Sequence, residues 1–257
     1  QLRRDRHYVF INYASALVAD QLLFNSAYHR DSFLGALPEF LQGSPDFKGI
    51  EQVEGLRKKS KVLPLGLRLD RLLPHQAPIE RHLLLWNHRW EYDKNPEEFF
   101  ELLIELKEEG HAFEVAVLGK GYAKQPKIFK QAKERLGEAL VHYGYAESFS
   151  DYAYWLWKAT LLPVTSHQDF FGISVVEAMY CGAFPLLPDR LAYPEHIPEE
   201  WRETCLYQNR GELKEKVKER LSQEPQKFME AQHWVKGYDW EYMAAVYQDF
   251  IRQCSKL

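Results

Sequence analysis

The sequence predicts an α/β protein: one complete doubly wound domain with a parallel sheet, preceded by part of a second. Three observations predict it. From residue 82 onward, apolar runs of strand length alternate with longer amphipathic segments. The linkers between them are short, as βαβ units require. Upstream of residue 72 the alternation occurs only once, within about seventy residues, too few for a typical ~100-residue core of this kind.

The elements follow in order. VADQLLFNS (18–26) reads as a strand ending in a turn, AYHRDSFLGALPEFL as the helix after it, and KVLPLGL (61–67) as a second strand. Residues 72–81, with Pro74 and Pro78, read as a hinge or gap. LLLWN (83–87) is a buried strand, followed by the polar turn HRWEYDKN. Asn95 caps the next helix, Pro96 takes its first position, Glu97 and Glu98 sit at its positive end, and Gly110 stops it. The pattern then repeats. The strands are FEVAVLG (113–119), ALVHYG (139–144), TLLPVT (160–165) and AFPLLP (183–188). The helices between them are PKIFKQAKERLG (126–137), SFSDYAYWLWKA (148–159) and GISVVEAMYCG (172–182). Residues 211–255 read as helices. The expected organisation is a partial N-terminal domain (1–71), the linker 72–81, a complete domain (82–236), and a last helix (237–257) returning to the first domain. A ligand site is expected at the carboxyl ends of the strands of the complete domain.

Composition narrows the class. Hydrophobic residues make up 46% and charged residues 27%, an ordinary balance for a soluble globular chain. No apolar run approaches the ~20 residues a membrane span needs, and no charged-then-apolar leader follows Gln1, so no signal peptide is expected. Cys181, Cys205 and Cys254 are far apart and odd in number, which fits reduced thiols in a cytoplasm. The net charge of −4 gives no general attraction to nucleic acid. Its distribution is uneven: residues 1–71 hold eleven Lys/Arg against eight Asp/Glu, a net of +3, and the remainder carries −7.

The strongest chemical signal is the segment from Asp169 to Met179, DFFGISVVEAM. Two carboxylates, Asp169 and Glu177, flank Phe170, Phe171 and Gly172 at a strand-to-helix junction. Gly172 lets the backbone approach a ligand, and the free N–H groups around Ile173 and Ser174 form an anion site suited to a diphosphate. Glu177, about one and a half turns on, can accept ribose hydroxyls; Asp169 can face a donor sugar. The plainer alternative is an ordinary βα turn with Glu177 on a solvated helix face.

A second signal is the cation pair Arg89 and Lys94 after strand 83–87, placed to neutralise a departing diphosphate. Taken alone it reads more readily as a charged surface turn, since such turns often carry Arg and Lys. Both signals end strands of one sheet, so their sites converge. A third is Gly119-Lys120-Gly121, a tight turn that fits beside a nucleotide base or serves as a plain loop; it lacks P-loop spacing. There is no HExxH, CxxC or Asp-x-Asp pattern, so no metal is expected. The run Arg57, Lys58, Lys59 and Lys61, with Arg3, Arg4 and Arg6, could meet RNA phosphates; from charge alone it reads as a solvated loop.

These residues resemble glycosyltransferase family four, which has the GT-B fold of two Rossmann-like domains. The resemblance is carried by Arg89/Lys94, by Gly119–Gly121 and by the segment from Asp169 to Gly182. That family usually has Glu at both ends of the last motif; Asp169 is one methylene shorter. Within it, the chain is most similar to the tRNA-queuosine α-mannosyltransferases. That likeness lies in Phe10–Ala16 through Asp20, Leu23–Phe33, Leu63–Leu67, Trp86–Glu91, Lys94–Pro96, Phe170–Gly172 and Tyr193–Glu195, spanning residues 7–200. The N-terminal half expected of such proteins is mostly absent, including the stretch where relatives keep a catalytic-site histidine.

The resemblance implies a retaining transferase, with GDP-mannose as donor and a cyclopentenediol hydroxyl of queuosine in a tRNA anticodon as acceptor. It implies that Arg89 and Lys94 hold the diphosphate. Asp169 and the amides of Phe171 to Ser174 would hold mannose and β-phosphate, and Glu177 the ribose. The turns at Gly119–Gly121 and Gly144-Tyr145 would flank the guanine. Two rivals stand beside it: a family-four transferase with a lipid or polysaccharide acceptor, and a non-catalytic nucleotide-sugar-binding module. An apolar amphipathic N-terminal surface favours the first; the run Arg57–Lys61 favours RNA.

Overall fold

The computed structural model describes residues 6–43, 49–120 and 126–254. The chain forms two compact units, residues 1–65 and 66–257.

The first unit contains α1 (Arg6–Val18), β1 (Leu22–Phe24), α2 (Ala27–Gln42), α3 (Ile50–Lys58) and β2 (Ser60–Val62). β1 and β2 pair in parallel, Leu23 opposite Lys61. Ser26 caps α2 by accepting from the His29 amide at 3.0 Å, in extended backbone geometry. Tyr13 and Ala16 of α1, Leu34, Leu37 and Leu41 of α2, and Val53 and Leu56 of α3 bury against one another. α1 and α3 were not expected. α1 starts with no acidic residue in its first turn and mixes aromatic with β-branched residues, so its period is faint. The two strands are also shorter than the expected 18–26 and 61–67. Residues 57–61 are therefore not a loop: Arg57 and Lys58 end α3, and Lys61 lies in β2.

The second unit is built on a six-stranded parallel sheet. Its strands and helices run β3 (Leu83–Trp86), α4 (Pro96–Glu108), β4 (Glu114–Leu118), α5 (Ile128–Leu136), β5 (Leu140–Gly144), α6 (Phe149–Lys158), β6 (Leu161–Pro163), α7 (Ile173–Tyr180), β7 (Phe184–Pro188), α8 (Arg202–Cys205), β8 (Leu206–Tyr207), α9 (Arg210–Leu221), α10 (Glu230–Val235) and α11 (Trp240–Cys254). The strand order is β5-β4-β3-β6-β7-β8. The chain winds one way from β3 and returns to its other side through β6, so the order reverses between β3 and β6. In such sheets the crevice beyond that reversal is the ligand site.

All of β3 is buried, as expected of a strand covered on both faces. Trp86 is fully buried, with Phe99, Phe100 and Phe129 rings within 5.8 Å. Each such side chain contributes about 1.5–3 kcal/mol by leaving water. Ser148 and Asp151 form a reciprocal cap that starts α6. Asn95 behaves otherwise than expected. It sits in the left-handed region at φ 51°, and its amide donates to Glu98 Oε2 at 2.5 Å instead of its oxygen capping α4. Thr165 Oγ1, donating to the Asn95 carbonyl at 2.9 Å, holds that turn from the β6 side.

The expected linker 72–81 begins inside structure. A 3-10 helix, Leu69–His75, buries Leu69 and Leu72. Trp157 Nε1 donates to the Leu72 carbonyl at 2.6 Å, and Asp239 accepts from the Asp70 amide at 2.9 Å. These bonds place residues 66–75 in the second unit, to which α11 also belongs. Among the described residues no helix is long and apolar enough to cross a membrane.

Candidate active site at the sheet reversal

Two loops meet at the carboxyl ends of β3 and β6. The first, residues 87–95, carries Asn87, His88, Arg89 and Lys94; the second, 164–172, carries Asp169 and enters α7. Lys94 is buried, and its Nζ donates to Asp169 Oδ2 at 3.0 Å and to the Gln168 carbonyl at 2.8 Å. Asp169 also accepts from the Tyr193 hydroxyl at 3.2 Å and the Phe171 amide at 3.3 Å. Burial pushes the Asp169 carboxyl up, but the charge and hydrogen bond of Lys94 outweigh it and hold the group below the ordinary carboxylate range. Arg89 differs: its side chain is 62% exposed and pairs with Glu91 at 3.3 Å.

The start of α7 is tied to the first loop at one residue. Asn87 Nδ2 donates to the Ser174 carbonyl at 2.7 Å, and His88 Nδ1 lies 2.9 Å from Ser174 Oγ. Burial, reinforced by Lys94 and opposed by Asp169, drives His88 down to about 3, so its ring is neutral at physiological pH. Gly172 opens α7 at φ +86°, and a Cβ there would meet the Tyr193 ring at 3.2 Å. His196 Nε2 donates to the Phe171 carbonyl at 2.6 Å, with Tyr238 on its other nitrogen at 3.2 Å. That pair fixes the loop from behind.

Beside these loops lies a cavity of about 470 Å³. Asn87, His88 and Arg89 line it, with Gly119 and Lys120 after β4 and residues 145–149 after β5. Tyr145, 71% exposed, presents an aromatic ring at its edge. Gly119 has φ +117°, and a Cβ there would lie 2.6 Å from the His88 carbonyl. The glycine is thus demanded by the chain's own crossing of two turns. Gly144, at φ +138°, accepts from the Gly119 amide at 3.1 Å.

The sequence-predicted residues fall into three groups. Arg89, Gly119, Lys120 and Tyr145 line the cavity. Lys94, Asp169, Phe171, Gly172 and Ser174 form the adjoining wall of loops and helix start, where Phe170 and Ile173 are exposed. Glu177 lies one turn deeper and accepts from the Tyr152 hydroxyl at 2.6 Å. Gly121 lies outside the described residues, as do Arg3 and Arg4. In the first unit, Arg57, Lys58 and Lys61 are exposed; Lys59 is half-buried, and its Nζ donates to the Leu17 and Ala19 carbonyls at 2.9 and 2.5 Å. Asn87, His88 and Tyr193 entered the sequence reading only within the segments that carry the family resemblance, with no role assigned; Asn87 and His88 also had a local signal, a polar pair directly following a buried strand at a carboxyl end. Tyr152 and His196 were not singled out and had no local signal.

Residues 74–236 match the model of the glycosyl transferases group 1. The chain belongs to that family. Residues 1–67 match a second model, described as the N-terminal part of tRNA-queuosine α-mannosyltransferase. A Drosophila melanogaster tRNA-queuosine α-mannosyltransferase is 34% identical over 208 residues, covering 77% of this chain and 55% of that protein. The chain thus spans about half the length of this curated relative. Among solved structures, a sucrose-phosphate synthase from Thermosynechococcus elongatus is similar with a TM-score of 0.74 at 17% identity, covering 100% of this chain and 63% of that one. Anabaena HepE in complex with UDP gives 0.69 at 15%, covering 99% and 69%. The fold is the GT-B type, with the six-stranded parallel sheet of the second unit as its Rossmann-like core.

Proposed function

We propose that the chain is the main part of a retaining transferase that moves mannose from GDP-mannose to the cyclopentenediol of queuosine in a tRNA anticodon. One observation carries the choice of acceptor: the match of residues 1–67 to the N-terminal part of tRNA-queuosine α-mannosyltransferases, a segment outside the general transferase match. The Drosophila relative, a tRNA-queuosine α-mannosyltransferase, supports the same reading.

The site's chemistry suits it. As the bond between the sugar C1 and the phosphate oxygen breaks, negative charge grows on the departing GDP. Arg89 and Lys94 stand at the carboxyl end of β3 to oppose that charge. Asp169, fixed by Lys94 and Tyr193, is set to orient the sugar. The cavity edge at Gly119, Lys120 and Tyr145 is suited to the guanine, Tyr145 by stacking.

The test is incubation of the protein with radiolabelled GDP-mannose and either queuosine-containing or queuosine-free tRNA. Label should enter only the first. Equal labelling, or none with a folded protein, rejects this acceptor. We also propose that two cations make a metal unnecessary: turnover should survive a chelator. Loss in EDTA, restored by Mn²⁺ or Mg²⁺, would refute that.

A further inference from the structure

Glu177 and Tyr152 come from different βα units, in the second turn of α7 and the first turn of α6. The 2.6 Å bond from the phenol to Glu177 Oε2 joins them. Both residues are half-buried, and Tyr152 lines the cavity beside Asn87. A carboxylate so held has its plane fixed: Oε2 carries the phenol hydrogen, and Oε1 remains to accept.

We propose that Tyr152 is the positioning residue for nucleotide binding here: its hydroxyl orients the Glu177 carboxylate so that Oε1 receives a ribose hydroxyl. This rests on the reading of the site as a nucleotide-sugar site. Two properties support it. A bond of 2.6 Å to a carboxylate is in the range of strong, charge-assisted hydrogen bonds. Burial raises the Glu177 pKa, and the Tyr152 hydrogen bond opposes that rise, so the phenol helps keep the carboxylate ionised. The other group near the pair is Cys181, one turn along α7, whose thiol burial keeps neutral; Asn87, from the β3 turn, is uncharged.

The sign of the effect follows. Without the phenol hydrogen, Glu177 keeps its proton to higher pH, and a protonated carboxyl accepts ribose hydroxyls poorly. GDP binding by the whole chain should therefore weaken as pH falls, and the Tyr152→Phe variant should show that weakening at higher pH. At neutral pH it should bind GDP about tenfold more weakly. Glu177→Gln should bind weakly and keep only the acid limb set by the terminal phosphate of GDP itself, and the double variant should be no weaker than Glu177→Gln alone. A ring-fluorinated tyrosine at position 152, a stronger donor in an unchanged ring, should move the limb to lower pH. Calorimetric titration with GDP across pH reads all four. If Tyr152→Phe and the fluorinated protein keep the parent's affinity and limb while Glu177→Gln weakens binding, the role of Tyr152 is overturned and the nucleotide reading stands. If Glu177→Gln changes neither affinity nor limb, the nucleotide reading falls and this inference with it.

Discussion

Lys94 and Arg89 carry the same charge in different surroundings, and their variants should fail differently. Lys94 is buried against the half-buried Asp169, so Lys94→Ala leaves that carboxylate without its main partner. Breaking a fully buried pair costs on the order of 3–5 kcal/mol; the loss here is smaller, because Asp169 keeps some contact with solvent, the Tyr193 hydroxyl and the Phe171 amide. Arg89 is mostly exposed, and its surface pair with Glu91 is worth little. Arg89→Ala should therefore leave the melting temperature unchanged yet cut turnover by about 30- to 1000-fold, since the proposed function sets its charge against the departing diphosphate. Lys94→Ala should lose both stability and turnover. Adding Asp169→Asn should restore stability without restoring turnover. Thermal melts and kcat on the four proteins decide this; near-normal kcat in Arg89→Ala with the fold intact would put the diphosphate elsewhere.

At the scale of elements, the turns after β3 and β4 are built around each other. Gly119→Ala combines a left-handed backbone with a Cβ 2.6 Å from the His88 carbonyl and 3.0 Å from Trp90 Nε1. Gly144→Ala meets the same kind of backbone strain with nothing within 4 Å of the new Cβ. Both should lose stability, Gly144→Ala by about 1–3 kcal/mol and Gly119→Ala by more. Equal losses in paired thermal melts would mean that the two turns give way. The same elements show what was legible beforehand. The βα units of the second unit could be read because buried strands such as LLLW are continuous apolar runs and their helices carry caps. The meeting of Lys94 and Asp169 could be read because parallel strands bring their carboxyl ends to one side. The links from His88 to Ser174, Tyr152 to Glu177 and His196 to Phe171 could not. Each depends on packing between units distant in the chain, which no local period records. α3 was hidden because its basic end, Arg57-Lys58, reads as a solvated run.

For the molecule as a whole, the question is what the basic first unit grips. The chain carries −4 overall, while the first unit, residues 1–65, holds nine Lys/Arg against seven Asp/Glu, a net of +2, so any attraction to RNA is local. The structure divides the basic run into two kinds of lysine and arginine. Lys59 serves the fold, tying the end of α1 to the start of β2 through the Leu17 and Ala19 carbonyls. Arg57, Lys58 and Lys61 are exposed along the end of α3 and β2. Replacing all four together would confuse lost stability with lost charge. Arg57 and Lys58 changed to Ser should leave the melting temperature and GDP affinity as they were and weaken tRNA binding. Each lost contact to a duplex phosphate should flatten the salt dependence by about 0.9 in the log–log slope. Lys59→Ser should do the reverse, lowering thermal stability with the slope unchanged at a temperature where the protein stays folded. Filter binding of tRNA over several salt concentrations reads the slope directly. A double variant with the parent's slope would leave Arg57 and Lys58 as solvated charges and turn the search for the acceptor toward a lipid or saccharide.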